Sequence, residues 1–198
     1  FAYAIDNDLI QRNPFRQLKI QKEEVEINPL TKEELSRIVQ KDFRIKRLNQ
    51  VRDCFVFACY TALAYSDLAS ISIDDIKVQN GVHFIQKNRI KTGVQYTIPL
   101  NEIAMEILQR YNYTLPVLSN QKYNSYLKEL GDVCNIPQSL HSHLARHTMA
   151  TIMLNNGISL PSIAKTLGHS NTRITEDIYA EMLDKTVVEE VMNLNKIL

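Results

Sequence analysis

Ser142-His143-Leu144-Ala145-Arg146-His147-Thr148 is the stretch that decides how this chain folds. Ser142 is suited to cap a helix that begins at His143, and offsets of three and four then bring His143, Arg146, His147 and Ala150 along one side. Leu144, Ala145, Thr148, Met149 and Ile152 turn toward a core. One face is therefore expected to pack while the other points functional side chains outward. Downstream stand Leu167-Gly168-His169-Ser170 and Ile178-Tyr179-Ala180. Asn156-Gly157 ends the first helix, Pro161 opens the next, and Gly168 closes it, which sets His169 at a helix end.

Two histidines, an arginine and a tyrosine in this order, with Lys91 upstream, are the equipment for metal-free attack on a phosphodiester. A phenol with a pKa near ~10 is a weak nucleophile at neutral pH, so a neighbour must take its proton, and a histidine can. As the oxygen attacks phosphorus, charge builds on the non-bridging oxygens. A guanidinium held in place stabilises it, worth roughly 10²–10³ in rate by analogy with oxyanion holes, and Arg146 is the candidate. The departing 5′ oxygen needs a proton, which an ammonium on a strand reaching into DNA supplies; Lys91 is the candidate.

Other readings of the same residues compete. His141, His143 and His147 have spacings that can share a zinc ion, but no Glu-containing protease motif surrounds them and Cys134 is the only nearby thiol. His147 reads as a structural histidine within its helix. The stretch from Leu160 to Tyr179 also fits a helix-turn-helix that reads DNA without chemistry, with Ile163-Ala164-Lys165 on one helix and Thr172-Arg173-Ile174 opening the other. Such a protein has no need of His143, Arg146 and a lysine hairpin. Tyr179 alone says little among nine tyrosines; its place after Leu167-Gly168-His169 is what marks it.

These blocks closely resemble the catalytic motifs of the tyrosine recombinase (phage integrase) family, over roughly residues 30–198. The resemblance implies an α+β, mainly helical catalytic fold with a small antiparallel β-sheet. It also implies a site-specific recombinase that cleaves and rejoins DNA for integration or excision of a mobile element. Tyr179 would form a 3′-phosphotyrosyl link, with Arg146, His143 and His169 around the scissile phosphate and Lys91 as general acid. No cofactor is implied, because the covalent bond stores the energy for rejoining. The implied partner is double-stranded DNA, with self-association to a tetramer on DNA through the C-terminal helix. A type IB topoisomerase would use a similar constellation, and a degenerate relative would only bind DNA; the motif pattern favours recombination.

Two departures stand out. The family's first motif usually reads Thr-Gly-Leu-Arg, whereas this chain has Thr61-Ala62-Leu63-Ala64-Tyr65-Ser66-Asp67-Leu68. The arginine is absent and Asp67 keeps the acidic position. Arg89 is the candidate replacement: it lies two residues before Lys91, and side chains two apart on a strand share a face. The interval from His169 to Tyr179 is also one residue longer than is usual.

The 198 residues, 44% of them hydrophobic, suffice for one full core plus a fragment. A net charge of only +1 argues against diffuse nucleic-acid binding, so DNA contacts are expected from local groups. Arg37, Lys41, Arg44, Lys46, Arg47 and Arg52 form one basic run, and Lys87, Arg89 and Arg173 are the expected DNA contacts elsewhere. Cys54, Cys59 and Cys134 lack metal spacing and read as buried thiols of a reducing compartment. No run approaches ~18 apolar residues, so the reading is no membrane and a cytoplasmic protein; the resemblance implies that it is bacterial and nucleoid-associated. Residues 1–20 are expected to end an N-terminal core-binding domain, 21–29 to be a charged linker, and 30–198 to be the catalytic domain.

Within that domain, a Thr31/Glu34 capping box opens a helix through Gln40, and Asn49 to Leu63 forms a long apolar helix. Alternation between Ile71 and Leu100, with turns at Asn80-Gly81 and Thr92-Gly93, predicts the small sheet. Helices are then expected over Asn101–Tyr111, Tyr123–Cys134, His143–Asn155, Pro161–Leu167 and Thr172–Tyr179. Leu183, Val187, Val191, Leu194 and Leu198 form a final apolar stripe at helical spacing.

Overall fold

The computed structural model describes residues 1–13, 15 and 28–180. A short helix α1 (Ala2–Asp6) stops well before Asn13-Pro14, because Asn7 and Asp8 turn the chain, Asp8 with φ +55°. The main body opens with α2 (Lys32–Gln40), started by the expected reciprocal cap. Thr31 Oγ1 accepts the Glu34 N–H at 3.2 Å, and Glu34 Oε2 accepts the Thr31 N–H at 2.9 Å.

Helix α3 (Lys46–Thr61) is the axis of the molecule. Residues Cys54 to Cys59 are all buried, so it is apolar almost all round and packs against α2 and three later helices. Burial pushes the Cys54 thiol up to about 12 and that of Cys59 higher still, leaving both inert. Helix α3 ends in the left-handed region at Ala62, φ +55°, and a single turn, α4 (Tyr65–Leu68), follows.

Strands β1 (Ile76–Gln79), β2 (Val82–Asn88) and β3 (Gln95–Pro99) form an antiparallel sheet in sequence order, with Ile76 opposite Ile85 and Ile85 opposite Ile98. Asn80 and Gly81 both take positive φ, as a two-residue hairpin turn requires. Ile85, Tyr96 and Ile98 form the buried face. Helices α5 (Glu102–Arg110) and α6 (Asn120–Val133) pack on α3.

Helix α7 (Ser142–Asn155) departs from expectation at its start and on its faces. His141, in extended backbone, is the N-cap, and the Ser142 N–H donates to Asn124 Oδ1 at 2.8 Å. Its supposed outward face is buried too: Arg146 and His147 are 5% and 9% exposed. Thr148 Oγ1 accepts the Leu30 N–H at 3.1 Å, tying the entry of the domain to α7. Helix α8 (Leu160–Leu167) closes at Gly168, φ +62°, where the Gly168 and His169 N–H groups donate back to Lys165 and Ala164 carbonyls. Helix α9 spans 173–180.

The large core joins α2, α3, the sheet, α5 and α6 to one side of α7. A smaller cluster, Ala62, Ala150, Leu154, Ile163, Leu167 and Tyr179, lies on the other side, between α7, α8 and α9. No described helix is long and apolar enough to cross a membrane. The stripe from Leu183 to Leu198 and the expected linker core, 21–27, lie outside the described residues.

Candidate active site

The site forms where the C-terminal ends of α3 and α8 meet α7. Arg146 projects from α7 between those ends: Nη1 donates to the Ala62 carbonyl at 2.9 Å, and Nη2 donates to the Leu167 carbonyl. Both carbonyls carry the partial negative charge of a helix C-terminus, which suits a buried cation. Arg89 reaches the same Leu167 carbonyl, with Nη1 at 2.7 Å. Its Nε lies 3.8 Å from Asp67 Oδ2, while Asp67 Oδ1 accepts the Ile90 N–H at 2.9 Å. Asp67, 1% exposed, thus steadies both the hairpin and Arg89.

Lys91, Arg89, Arg146, His143, His147, His169 and Tyr179 line one pocket, to which no carboxylate among the described residues contributes. Among the described residues no acid forms an ion pair with Arg146, and Asp67 alone pairs with Arg89. Burial and the Arg89 charge push the Arg146 guanidinium down to about 9, still protonated at neutral pH. Three cations against one buried acid make this an anion site, and two converging guanidinia match phosphoryl oxygens.

Tyr179 packs its ring in the smaller cluster, 3% exposed, with its phenol oxygen 3.1 Å from His147 Nδ1. The nucleophile candidate is therefore held in the pocket of its own chain. Burial pushes the phenol up to about 12, partly opposed by Arg146. Burial, with His143 and Arg146 next, pushes His147 down to about 4, so its ring is neutral, and in the tautomer protonated at Nε2 its Nδ1 accepts from the phenol. The His143 ring meets that of His147 edge-on, 4.6 Å between centroids. His169 bonds Thr175 Oγ1 through Nδ1 at 2.9 Å, and burial followed by Arg146 and Arg89 takes it to about 4. His143 is lowered as well, by desolvation and then Arg146. At neutral pH the positive charge of the site comes from Arg89, Lys91 and Arg146.

The residues expected from the sequence are thus largely brought together, by a different route in places. Strand β2 ends at Asn88, so Arg89 and Lys91 belong to the turn that follows, not to a strand face. Backbone bonds from Arg89 N–H to Val94 and from Gly93 N–H to Arg89 close that turn at 2.9 and 2.8 Å and hold both side chains over the pocket. Lys87 goes elsewhere: Nζ donates to Asp75 Oδ2 at 2.8 Å and to the Ser70 carbonyl at 2.6 Å, tying it to the segment between α4 and β1. Arg173 is exposed at the start of α9, outside the pocket lining. Sequence reasoning missed His147 as the partner of Tyr179, Thr175 behind His169, and the Leu167 carbonyl. The offset of four between His143 and His147 was a usable signal for the first; a carbonyl acceptor leaves none.

Comparison with known proteins gives a consistent picture. The phage integrase family profile matches residues 28–115 and 116–186. Tyrosine recombinase XerC of Pediococcus pentosaceus is 23% identical over 213 residues, covering 96% of this chain and 69% of that protein. Among solved structures, the Tn1549 transposon integrase in complex with circular intermediate DNA superposes with a TM-score of 0.71 at 19% identity, over 98% of this chain and 76% of that one. The XerH recombinase bound to palindromic difH substrate in a post-cleavage complex gives 0.68 at 17% identity, and there the chain covers 86% of itself and only 54% of its neighbour.

Proposed function

Because this chain belongs to the phage integrase family, we propose that it is the catalytic unit of a site-specific DNA recombinase that cuts and rejoins duplex DNA through Tyr179. One observation carries this reading: two guanidinia converge on the Leu167 carbonyl in a pocket that also holds the phenol of Tyr179 and to which no described residue adds a carboxylate. The scissile phosphate docks against Arg146 and Arg89, which neutralise charge on its non-bridging oxygens. The Tyr179 oxygen attacks phosphorus, the 5′ oxygen leaves with a proton from Lys91, and a 3′-phosphotyrosyl bond remains for rejoining. His143 and His169 flank the phosphate as neutral donors.

Arg89 serves as the second guanidinium that the Ala64 position lacks, held by Asp67. Arg89→Ala is then expected to lower cleavage by about 10²–10³ at saturating DNA. A loss of affinity and salt dependence with an unchanged single-turnover rate would make it a backbone contact instead. Residues 30–198 constitute the catalytic domain, preceded by the end of a DNA-embracing domain over 1–20 and a linker over 21–29. Tetramer assembly on DNA through the apolar stripe beyond Asp184, service to a mobile element, and action at the bacterial nucleoid complete the proposal. The bacterial relatives and the DNA complexes of the structural neighbours support it.

The decisive experiment is incubation with nicked duplexes carrying candidate sites, in which loss of a short 5′-hydroxyl fragment traps the intermediate. A covalent protein–DNA adduct that is absent for Tyr179→Phe supports the reading. An adduct that persists in Tyr179→Phe overturns the assignment of the nucleophile.

A further inference from the structure

Of the three histidines in the pocket, one touches the reacting atom. His147 Nδ1 lies 3.1 Å from the Tyr179 oxygen. His169 has its Nδ1 engaged by Thr175 Oγ1 at 2.9 Å, and His143 meets the ring of His147, not the phenol. Resting on the proposed cleavage chemistry, we propose that His147 is the base that takes the Tyr179 proton as the tyrosyl oxygen attacks phosphorus.

The geometry favours this step in two ways. The His147 ring is confined between the edge-on contact with His143 and the ring of Tyr179, 6.1 Å between centroids, and is almost buried, so Nδ1 stays aimed at the phenol. A general base needs a heavy-atom distance of about 2.6–3.2 Å to the proton it abstracts, and this contact already lies in that range. The charges facing His147 are also informative: Arg146, His143 and His141 from its own end of α7, His169 from the α8–α9 turn, and the phenol from α9. With the Arg146 cation acting on it, an imidazolium is disfavoured until an anion enters. Proton transfer is thereby coupled to arrival of the phosphate, which protects the tyrosine from ionising without substrate.

The step balances. The Tyr179 O–H bond breaks, its proton passes to His147 Nδ1, the phenolic oxygen bonds to phosphorus, and the P–O5′ bond breaks as Lys91 protonates the 5′ oxygen. Rejoining reverses each transfer: the incoming 5′-hydroxyl returns a proton to Lys91, and the imidazolium returns one to the phenolic oxygen.

The test uses the full chain in single-turnover cleavage of a nicked duplex, with an ordinary and a 5′-bridging phosphorothiolate linkage. The thiolate leaves without protonation, so it relieves a general-acid defect and not a base defect. His147→Asn places an amide oxygen near the position of Nδ1 and keeps an acceptor for the phenol while removing a titratable base. It is expected to cleave about 10²–10³-fold more slowly on both linkages, whereas Lys91→Ala recovers on the phosphorothiolate. The wild-type rate on the phosphorothiolate should fall on the acid side with an ionisation that disappears in His147→Asn. Cleavage by His147→Asn within threefold of wild type would overturn the proposal and reduce His147 to holding the ring. Should that variant not fold, His147→Gln takes its place, and cleavage by it within threefold of wild type on both linkages would overturn the proposal equally. Absence of any adduct with the wild-type chain would overturn the cleavage reading itself, and this proposal with it.

Discussion

Tyr179 is packed as tightly as a core residue, yet among the described residues its hydroxyl has one hydrogen-bonding neighbour, His147. Tyr179→Phe therefore leaves the apolar packing intact and costs one neutral hydrogen bond, about 1 kcal/mol. Thermal or urea unfolding should show that small change, alongside complete loss of the DNA adduct on a gel. Gly168 is a harsher position. Its φ of +62° strains any residue with a Cβ, and an added Cβ would stand 3.3 Å from Arg89 Cδ. Gly168→Ala is expected to lose about 1–2 kcal/mol in urea unfolding and to slow cleavage as Arg89 is displaced. At this scale much of the site was legible. Residue order and the family resemblance pointed to Tyr179, Arg146, His143, His169 and Lys91, and an argument from strand faces to Arg89; all six line one pocket, although Arg89 and Lys91 reach it from a turn. The role of the Leu167 carbonyl was not, because any residue type supplies a carbonyl and only the fold decides which one faces a guanidinium. The engagement of Lys87 was hidden for a related reason: its partner Asp75 lies twelve residues away, before β1, and a charge pattern does not say which lysines are already paired.

Helix α3 ends on an alanine in the left-handed region, where glycine is the usual occupant, and that alanine offers its carbonyl to Arg146. Ala62 is also fully buried in the smaller cluster. Ala62→Gly relieves about 1 kcal/mol of backbone strain but loses a buried methyl and loosens the unfolded chain, so stability should stay within about 1 kcal/mol of wild type. Ala62→Val is branched at Cβ where φ is positive, and should cost more than about 2 kcal/mol and misplace the Arg146 acceptor. Unfolding midpoints of the two variants check both signs. Elements governed by local chemistry were visible beforehand: the Thr31/Glu34 box, the Asn80-Gly81 turn and the Gly168 stop all act within a few residues. Element starts governed by distant partners were not. Helix α7 begins at Ser142, whose N–H is taken by Asn124 from α6, and α3 begins in the polar turn at Lys46, ahead of its first buried position, Leu48.

Across the whole molecule, histidine protonation couples stability to pH. His141, His143, His147 and His169 all titrate below their ordinary value in the folded chain, His147 and His169 at about 4. The unfolded chain therefore binds protons first as pH falls. The stability these groups contribute is present above about pH 6.5 and is lost between about 6.5 and 4, with buried His147 alone worth on the order of 2 kcal/mol. Urea unfolding at pH 7.5 and pH 5 should show the loss, and His147→Asn should reduce it by the share of that one histidine. The seating of Tyr179 has a last consequence. On the proposed chemistry, Tyr179, Arg146, Arg89, Lys91 and His147 act from the pocket of a single polypeptide, so each chain is expected to cleave with its own residues. When chains carrying Tyr179→Phe are mixed with chains carrying Arg146→Ala, neither can lend the other its missing part, and the mixture stays as inert as its components; a lesion in one copy is not complemented by a different lesion in its neighbour.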